Sequence, residues 1–310
     1  MFDIVRYTAD RQAEWDAFIN QSKNGTFLLK RGYMDYHMSR FADCSLMFYL
    51  KNQLYAVLPA NVEGEVFHSH QGLTYGGLIM TEKCTATKVV CLFDEMNRWL
   101  KGKGVKRVVY KPIPHIYSIL PSEEDLYALF RCGARLQARG ISSSIDLEKL
   151  LKWKRDRRTA MHKAKKNGIT VERSEELECF WQILEENLMD THGVRPVHSV
   201  EEMKLLKSHF PNNILLYIAR NMQGVIVAGV LLYVSDNVIH SQYISATKEG
   251  KKIGAVDAII QEVIHLQKRY FDFGISTEND GKYLNESLIY QKEGFGGRAI
   301  CYDTYEYTIP

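Results

Sequence analysis

The chain has 310 residues, 45% of them apolar and 25% charged, with a formal net charge of +3. This is ordinary globular usage, and the length suits one large domain or two of moderate size, so a broadly disordered chain is excluded. The longest apolar run, 225–234, contains Gly229 and suits a core strand, not a membrane span. Six cysteines without a CxxC spacing read as reduced thiols, neither a disulfide framework nor a zinc site. The first residues lack the basic start and apolar stretch of a signal peptide, so a cytoplasmic protein is expected.

In chain order, 2–7 is a short strand-like run. Asp10 then has the character of an N-cap, before a helix with Trp15, Phe18 and Ile19 on one face. A second helix is predicted at 33–41. Apolar runs at 46–51 and 54–61 flank Asn52-Gln53 as a hairpin, followed by strands at 66–69 and 73–80 that are rich in Gly and Tyr. The clearest helix is 85–101, where Val89, Leu92, Phe93, Met96 and Leu100 recur at helical spacing, and Gly102 and Gly104 mark its end. A β-branched strand at 105–110, a helix at 123–131 and a strand at 134–145 complete the first half.

The second half repeats that order: a short strand at 170–172, helices at 177–189 and 200–209, strands at 214–220, 225–234 and 238–244, a long helix at 255–269, a strand at 270–274, a helix at 285–292 and a closing strand at 299–308. Two divergent copies of one α/β domain is the economical reading. Charge marks the joint between them. Residues 1–146 are net +3, residues 147–167 net +7 with nine cations against two acids, and residues 168–310 net −7. The expected division is therefore 1–146, a basic linker helix at 147–167, and 168–310.

This order of elements resembles the GNAT (acyl-CoA N-acyltransferase) fold, and a tandem pair of such domains is similar to the Fem family of FemAB-like transferases. Three stretches carry the likeness. One is the basic run Arg157-Arg158-Thr159-Ala160-Met161-His162-Lys163-Ala164-Lys165-Lys166-Asn167-Gly168-Ile169. Another is Tyr270-Phe271-Asp272-Phe273-Gly274-Ile275 with Leu288-Ile289-Tyr290-Gln291-Lys292-Glu293-Gly294-Phe295-Gly296. The third is the glycine-rich Gly72-Leu73-Thr74-Tyr75-Gly76-Gly77-Leu78. Gln291 stands where the family has Phe, and there is no room for the long coiled-coil arm of some tRNA-using members. The resemblance implies two mixed, largely antiparallel sheets flanked by helices, and transfer of an acyl or aminoacyl group to an amine.

Candidate site residues follow. In a helix, Arg155, Arg158, His162 and Lys165 or Lys166 recur every three or four residues. They would hold a diphosphate or a tRNA backbone, a solvated helix face being the alternative; the resemblance favours the phosphate role for Arg158 and Lys165. Lys251-Lys252-Ile253-Gly254-Ala255-Val256 lies where the GNAT fold has its acyl-CoA pyrophosphate loop, which makes Lys251 and Gly254 candidate cofactor contacts, although Val256 replaces a small residue. Strand alternation at 238–244 puts His240 and Gln242 on one face, Ser241 and Tyr243 on the other. His240 or Tyr243 would supply the acid–base chemistry that acyl transfer to an amine requires. By resemblance Lys292 would stabilise negative charge on the donor, and Asp272 would face the same cleft or pair with a lysine. Tyr75, among glycines that permit close backbone approach, is a candidate substrate-lining residue. His68 and His70 share a strand face, but no Cys or carboxylate completes a metal set.

The sequence thus points to a FemAB-like acyltransferase. It would act on an amine of a phosphate-bearing acceptor, such as a cell-wall precursor, in a cleft between the domains, with acyl-CoA or aminoacyl-tRNA as donor. An acyl-CoA-dependent N-acetyltransferase is the alternative among enzymes. A non-catalytic GNAT pair that binds nucleic acid through the basic linker is the alternative of another class.

Overall fold

The alternating apolar runs near the N-terminus pair as an antiparallel sheet in the order β1-β2-β3-β6, with β1 at Asp3–Arg6, β2 at Leu46–Leu50, β3 at Gln53–Leu58 and β6 at Ile79–Met80. The computed structural model describes residues 1–310, apart from the side chains of His37 and His192. The chain divides into two units: Met1–Ile141 with Thr277–Leu284 and Cys301–Pro310, and Ser142–Ser276 with Asn285–Ile300.

The first unit also contains β4 (Asn61–Glu63), β5 (Val66–His68), β7 (Arg107–Tyr110) and most of β8 (Arg135–Asp146). Its helices are α1 (Gln12–Gln21), α2 (Arg31–Met34), α3 (Ala86–Gly102) and α4 (Glu124–Arg131). The predicted helix at 33–41 is shorter: α2 stops at Met34 and a 3-10 turn covers Asp35–Arg40. At this point the buried Arg31 gathers Asp35 and Asp43, the latter at 2.8 Å, and lies 3.9 Å from the Tyr7 ring centroid. The amphipathic face of α3 (Val89, Leu92, Phe93, Met96, Leu100) packs into a core with Phe48, Phe67 and Val108. Each such side chain, fully removed from water, contributes about 1.5–3 kcal/mol.

In the second unit the basic run forms α5 (Arg155–Lys166), followed by β9 (Thr170–Ser174), α6 (Leu177–His192), α7 (Val200–His209), β10 (Ile214–Arg220), β11 (Ile226–Val234), β12 (Val238–Ala246), α8 (Lys248–Ile253), α9 (Ala255–Val263), β13 (Tyr270–Ile275) and α10 (Glu286–Gly294). Its strands run β8-β13-β12-β11-β10-β9. β11 is buried along its whole length. One face packs Val230 and Leu232 against Ile259, Ile260 and Val263 of α9. On the other, Gly229 makes room for Phe180 of α6, whose Cδ2 would stand 2.3 Å from a Cβ. The predicted helix 255–269 ends at Val263, because Arg269 and Tyr270 must donate to the Asn237 carbonyl to start β13 beside β12.

Two short strands, β14 (Thr277–Glu278) and β15 (Tyr283–Leu284), pair with each other in the first unit. The last strand, β16 (Arg298–Thr308), ends there too, with Tyr305 opposite Tyr110 of β7. In the second unit the partner of β13 is β8, with Asp272 opposite Ser144. Each unit's parallel pair is thus flanked by a strand from the other half of the sequence.

Candidate active site

Each unit contains one short parallel ladder. In the first, Val66, Phe67 and His68 of β5 stand opposite Arg107, Val108 and Val109 of β7. In the second, Val238, Ile239 and His240 of β12 stand opposite Tyr270, Phe271 and Asp272 of β13. Beyond His240 the ladder ends while β12 continues to Ala246, so the two strands part. Parallel strands that separate leave backbone donors and acceptors of β12 without a strand partner on that side, a place where a substrate can be held.

The polar groups of the second unit collect at that fork. Asp272 is fully buried, and its two oxygens are used separately: Oδ2 lies 2.8 Å from His240 Nδ1, and Oδ1 accepts from Ser142 Oγ at 2.5 Å. A carboxylate on Nδ1 fixes the imidazole tautomer and leaves Nε2 as the basic nitrogen. Gly274 has φ +76, and a Cβ there would lie 3.3 Å from His240 Cε1 and 3.9 Å from Nε2. The glycine therefore answers both a backbone need and an uncrowded ring edge.

Lys292, in the last turn of α10, is 7% exposed, and its ammonium donates to the carbonyls of Gly274 at 2.8 Å and Ile275 at 2.9 Å. Burial lowers its pKa to about 8, with Asp272 opposing that shift. His240, Asp272 and Lys292 are thus brought together, joined by Ser142 and Gly274, which sequence reasoning missed. Ser142 carried a faint signal, since 142 and 144 alternate onto one face of their strand.

Tyr243 is placed by a bulge. Tyr243 stands opposite Leu231 and Ser241 opposite Leu232, so Gln242 is an extra residue. His240 faces Tyr233, two residues from Leu231, and the bulge therefore turns His240 and Tyr243 to the same face. Strict alternation had put them on opposite faces. The Tyr243 hydroxyl lies 2.7 Å from His198 Nδ1, and its ring meets Trp181 edge-on at 5.2 Å. Burial raises its pKa, so it remains a donor at neutral pH.

The other candidates lie elsewhere. Lys251 donates to Asn187 Oδ1 at 2.6 Å, and Gly254 is left-handed with φ +80, between α8 and α9. A Cβ on Gly254 would stand 2.4 Å from the Ala160 carbonyl oxygen, so this glycine admits α5. Alongside it, Arg157 pairs at 3.2 Å with the buried Asp257 in the first turn of α9, whose pKa burial raises to about 6 against the pull of Arg157. Residues 248–253, expected as a loop, are the helix α8, capped by Thr247 Oγ1 accepting from Gly250 N. Lys251, Lys252 and Gly254 line one groove with Lys154, Arg155, Thr159 and Lys163. The anticipated stripe divides: Arg155 lines that groove, whereas Arg158, His162 and Lys165 are exposed and do not line it. Tyr75 is 1% exposed, bonded to Thr26 Oγ1 at 3.0 Å and packed on Tyr117, in the interior of the first unit.

In the first unit the corresponding fork is filled. Residues 69–78, predicted to contain a strand from 73, return across it: Gly76 N donates to the Lys111 carbonyl at 3.0 Å, and Lys111 Nζ donates to the carbonyls of Gln71 and Leu73 at 3.2 and 3.0 Å. Only Ile79–Met80 remains as strand. Gly76 allows this because a Cβ would lie 2.0 Å from the Ser69 carbonyl oxygen.

Comparison with known proteins agrees with this architecture. Residues 146–283 match the family described as Acetyltransferase (GNAT) domain. FemX is similar in structure at 13% identity and a TM-score of 0.70, over 99% of this chain and 97% of that one. L-PGS from Bacillus licheniformis follows at 15% identity and 0.62, over 95% and 91%. A tandem GNAT protein from the clavulanic acid biosynthesis pathway gives 8% identity and 0.54, over 100% and 99%. No curated protein matches the sequence. The matched GNAT acetyltransferase domain, residues 146–283, contains His240 and Asp272 of the fork, Lys292 lies beyond the matched span, and over nearly its whole length the chain shares the fold of FemX.

Proposed function

We propose that the second unit transfers an acyl or aminoacyl group from an activated donor directly to an amine, at the fork between β12 and β13. The observation that carries this reading is the His240–Asp272 pair with the Lys292 ammonium, all at the point where the parallel ladder stops. An amine must lose a proton as it attacks a carbonyl. His240 Nε2 takes that proton while Asp272 holds the ring and balances the imidazolium. A new C–N bond forms as the donor's C–O or C–S bond breaks, and the electron pair departs with the carrier. The Lys292 cation stabilises the negative charge that develops on the carbonyl oxygen or the leaving group. Tyr243, protonated at neutral pH and on the same face as His240, is suited to return a proton to that leaving group.

The donor reading favours an aminoacyl or acyl ester over acyl-CoA. At the usual pyrophosphate position, Gly254 is packed on the Ala160 carbonyl, and the first turn of α9 is neutralised by Asp257 with Arg157. A phosphate there would meet a carboxylate and a carbonyl instead of vacant amides. The acceptor class is an amine on a phosphate-bearing molecule, such as a cell-wall precursor, supported by the exposed cations Arg158 and Lys165 of α5, with the exposed His162 between them in sequence. Thermal stabilisation by a donor panel tests this: aminoacyl-tRNA should raise Tm, acetyl-CoA and longer acyl-CoAs should not. A shift with acyl-CoA alone would move the assignment to an N-acetyltransferase. No shift with any donor, together with salt-sensitive binding of unacylated RNA, would support a non-catalytic nucleic-acid binder.

A further inference from the structure

The basic groove does not end at its cations. It has a volume of about 730 Å³ and is lined by Lys154, Arg155, Lys163, Lys251 and Lys252, with Tyr290 at its side. Among the described residues, Arg155, Lys163 and Lys252 form no ion pair, while the neighbouring acid Asp156 lies 3.6 Å from Arg157. The irregular stretch that leads into α5 adds apolar surface. Leu150 is 55% exposed, Leu151 44% and Tyr290 56%. This loop is held firmly: Lys154 N donates to the Gly294 carbonyl at 2.8 Å, Trp153 meets Phe295 edge-on at 5.0 Å, and Leu151 lies against Gly296. Two adjacent leucines are therefore presented to water by a fixed backbone, flanked by Lys149 and Lys152.

We propose that residues 149–155 and the basic groove form a docking surface for the headgroup layer of an anionic membrane. The combination is what singles out a lipid surface. Cations are drawn to an anionic leaflet, and exposed leucines gain by entering its acyl boundary, each signal too weak to anchor the protein alone. A nucleic acid would use the cations but has no use for two leucines. One face of the aromatic ring it would stack on is occupied by Lys154 Nζ, 3.8 Å from the Tyr290 ring centroid. Among the described residues no helix is long and apolar enough to cross a membrane, and the contact proposed is with the headgroup layer alone. The proposal stands apart from the transferase reading and does not depend on its donor or acceptor.

Co-sedimentation of the full chain with vesicles of phosphatidylcholine containing 30% phosphatidylglycerol, against pure phosphatidylcholine vesicles, tests it. Binding to the anionic vesicles is expected, with release as salt is raised to 0.5 M. Replacing both Lys251 and Lys252 by Gln should weaken binding about thirtyfold, at roughly 1 kcal/mol per cation near an anionic surface. Leu150→Ser with Leu151→Ser should weaken it about tenfold at unchanged Tm, because both side chains are exposed in the free protein. Equal binding to both vesicle types, or none to either, overturns the proposal. So does vesicle binding that ignores the leucine pair while a single-stranded RNA oligonucleotide competes for the same lysines, which would assign the groove to nucleic acid.

Discussion

In the first unit the chain leaves the parallel ladder at His68 and folds residues 69–78 back across the fork, where Lys111 ties down the carbonyls of Gln71 and Leu73. In the second unit the chain leaves the equivalent ladder at His240, β12 runs on, and Lys292 holds the carbonyls of Gly274 and Ile275 behind a histidine that is oriented by a buried carboxylate. Both forks have a histidine in the third register position and a lysine on two carbonyls. They differ in the residue opposite the histidine, which is Val109 in one and Asp272 in the other. A valine cannot orient or neutralise an imidazolium. The comparison teaches that one scaffold is packed shut where its fork is filled and offers a candidate site where a carboxylate faces the histidine.

The largest effects should come from breaking that difference. His240→Asn or Asp272→Asn should lower kcat about 10²–10⁴-fold, the usual worth of a positioned acid–base group, whereas His68→Asn should leave turnover within about twofold. Steady-state transfer to the identified acceptor reads both. Next comes Lys292. Since the role proposed for it requires the ammonium, transfer should decline as pH rises through about 8. Lys292→Met should remove that alkaline limb along with about 10–100-fold of the rate. The stability sign is opposite. The folded-state pKa lies below the ordinary 10.5, so between about 8 and 10.5 the unfolded chain binds more protons, and this group's contribution to stability rises with pH there.

Effects on stability without loss of chemistry should come from the filled fork. Gly76→Ala drives a methyl into the Ser69 carbonyl and should cost about 3 kcal/mol in denaturant melts. Lys111→Met strands two carbonyls and should cost about 1–3 kcal/mol. Neither should change kcat. The smallest stability change, about 1 kcal/mol, is expected for Gly274→Ala at its positive φ, yet crowding of the His240 ring should still lower transfer about tenfold. A Gly274→Ala variant with full activity would show that this ring edge is not used.

Periodicity made the repeated order of elements readable, and the motif around Asp272 and Lys292 drew attention to the strand and helix that meet beside His240. Geometry that depends on long-range pairing was not readable. The bulge at Gln242, which turns Tyr243 to the face of His240, comes from a register mismatch with β11 that no local pattern carries. Ser142 reaches Asp272 from 130 residues away. Gly254 read as a phosphate-loop glycine because a tight backbone approach looks the same in sequence whether the neighbour is a ligand or the Ala160 carbonyl. Tyr75 read as exposed to substrate because glycines around it signal close approach, and here they let the chain pack upon itself. The final strand was assigned to the second half by order alone, while Tyr305 stands opposite Tyr110 of the first unit.

The most direct test of the central claim, that transfer takes place in the second unit, is nitrogen NMR of histidine-labelled protein titrated with the donor that raises Tm, with ring signals assigned through His240→Asn and His68→Asn. The account predicts that the His240 ring nitrogens shift on donor binding while those of His68 stay in place. Movement of His68 with an unmoved His240 would contradict it.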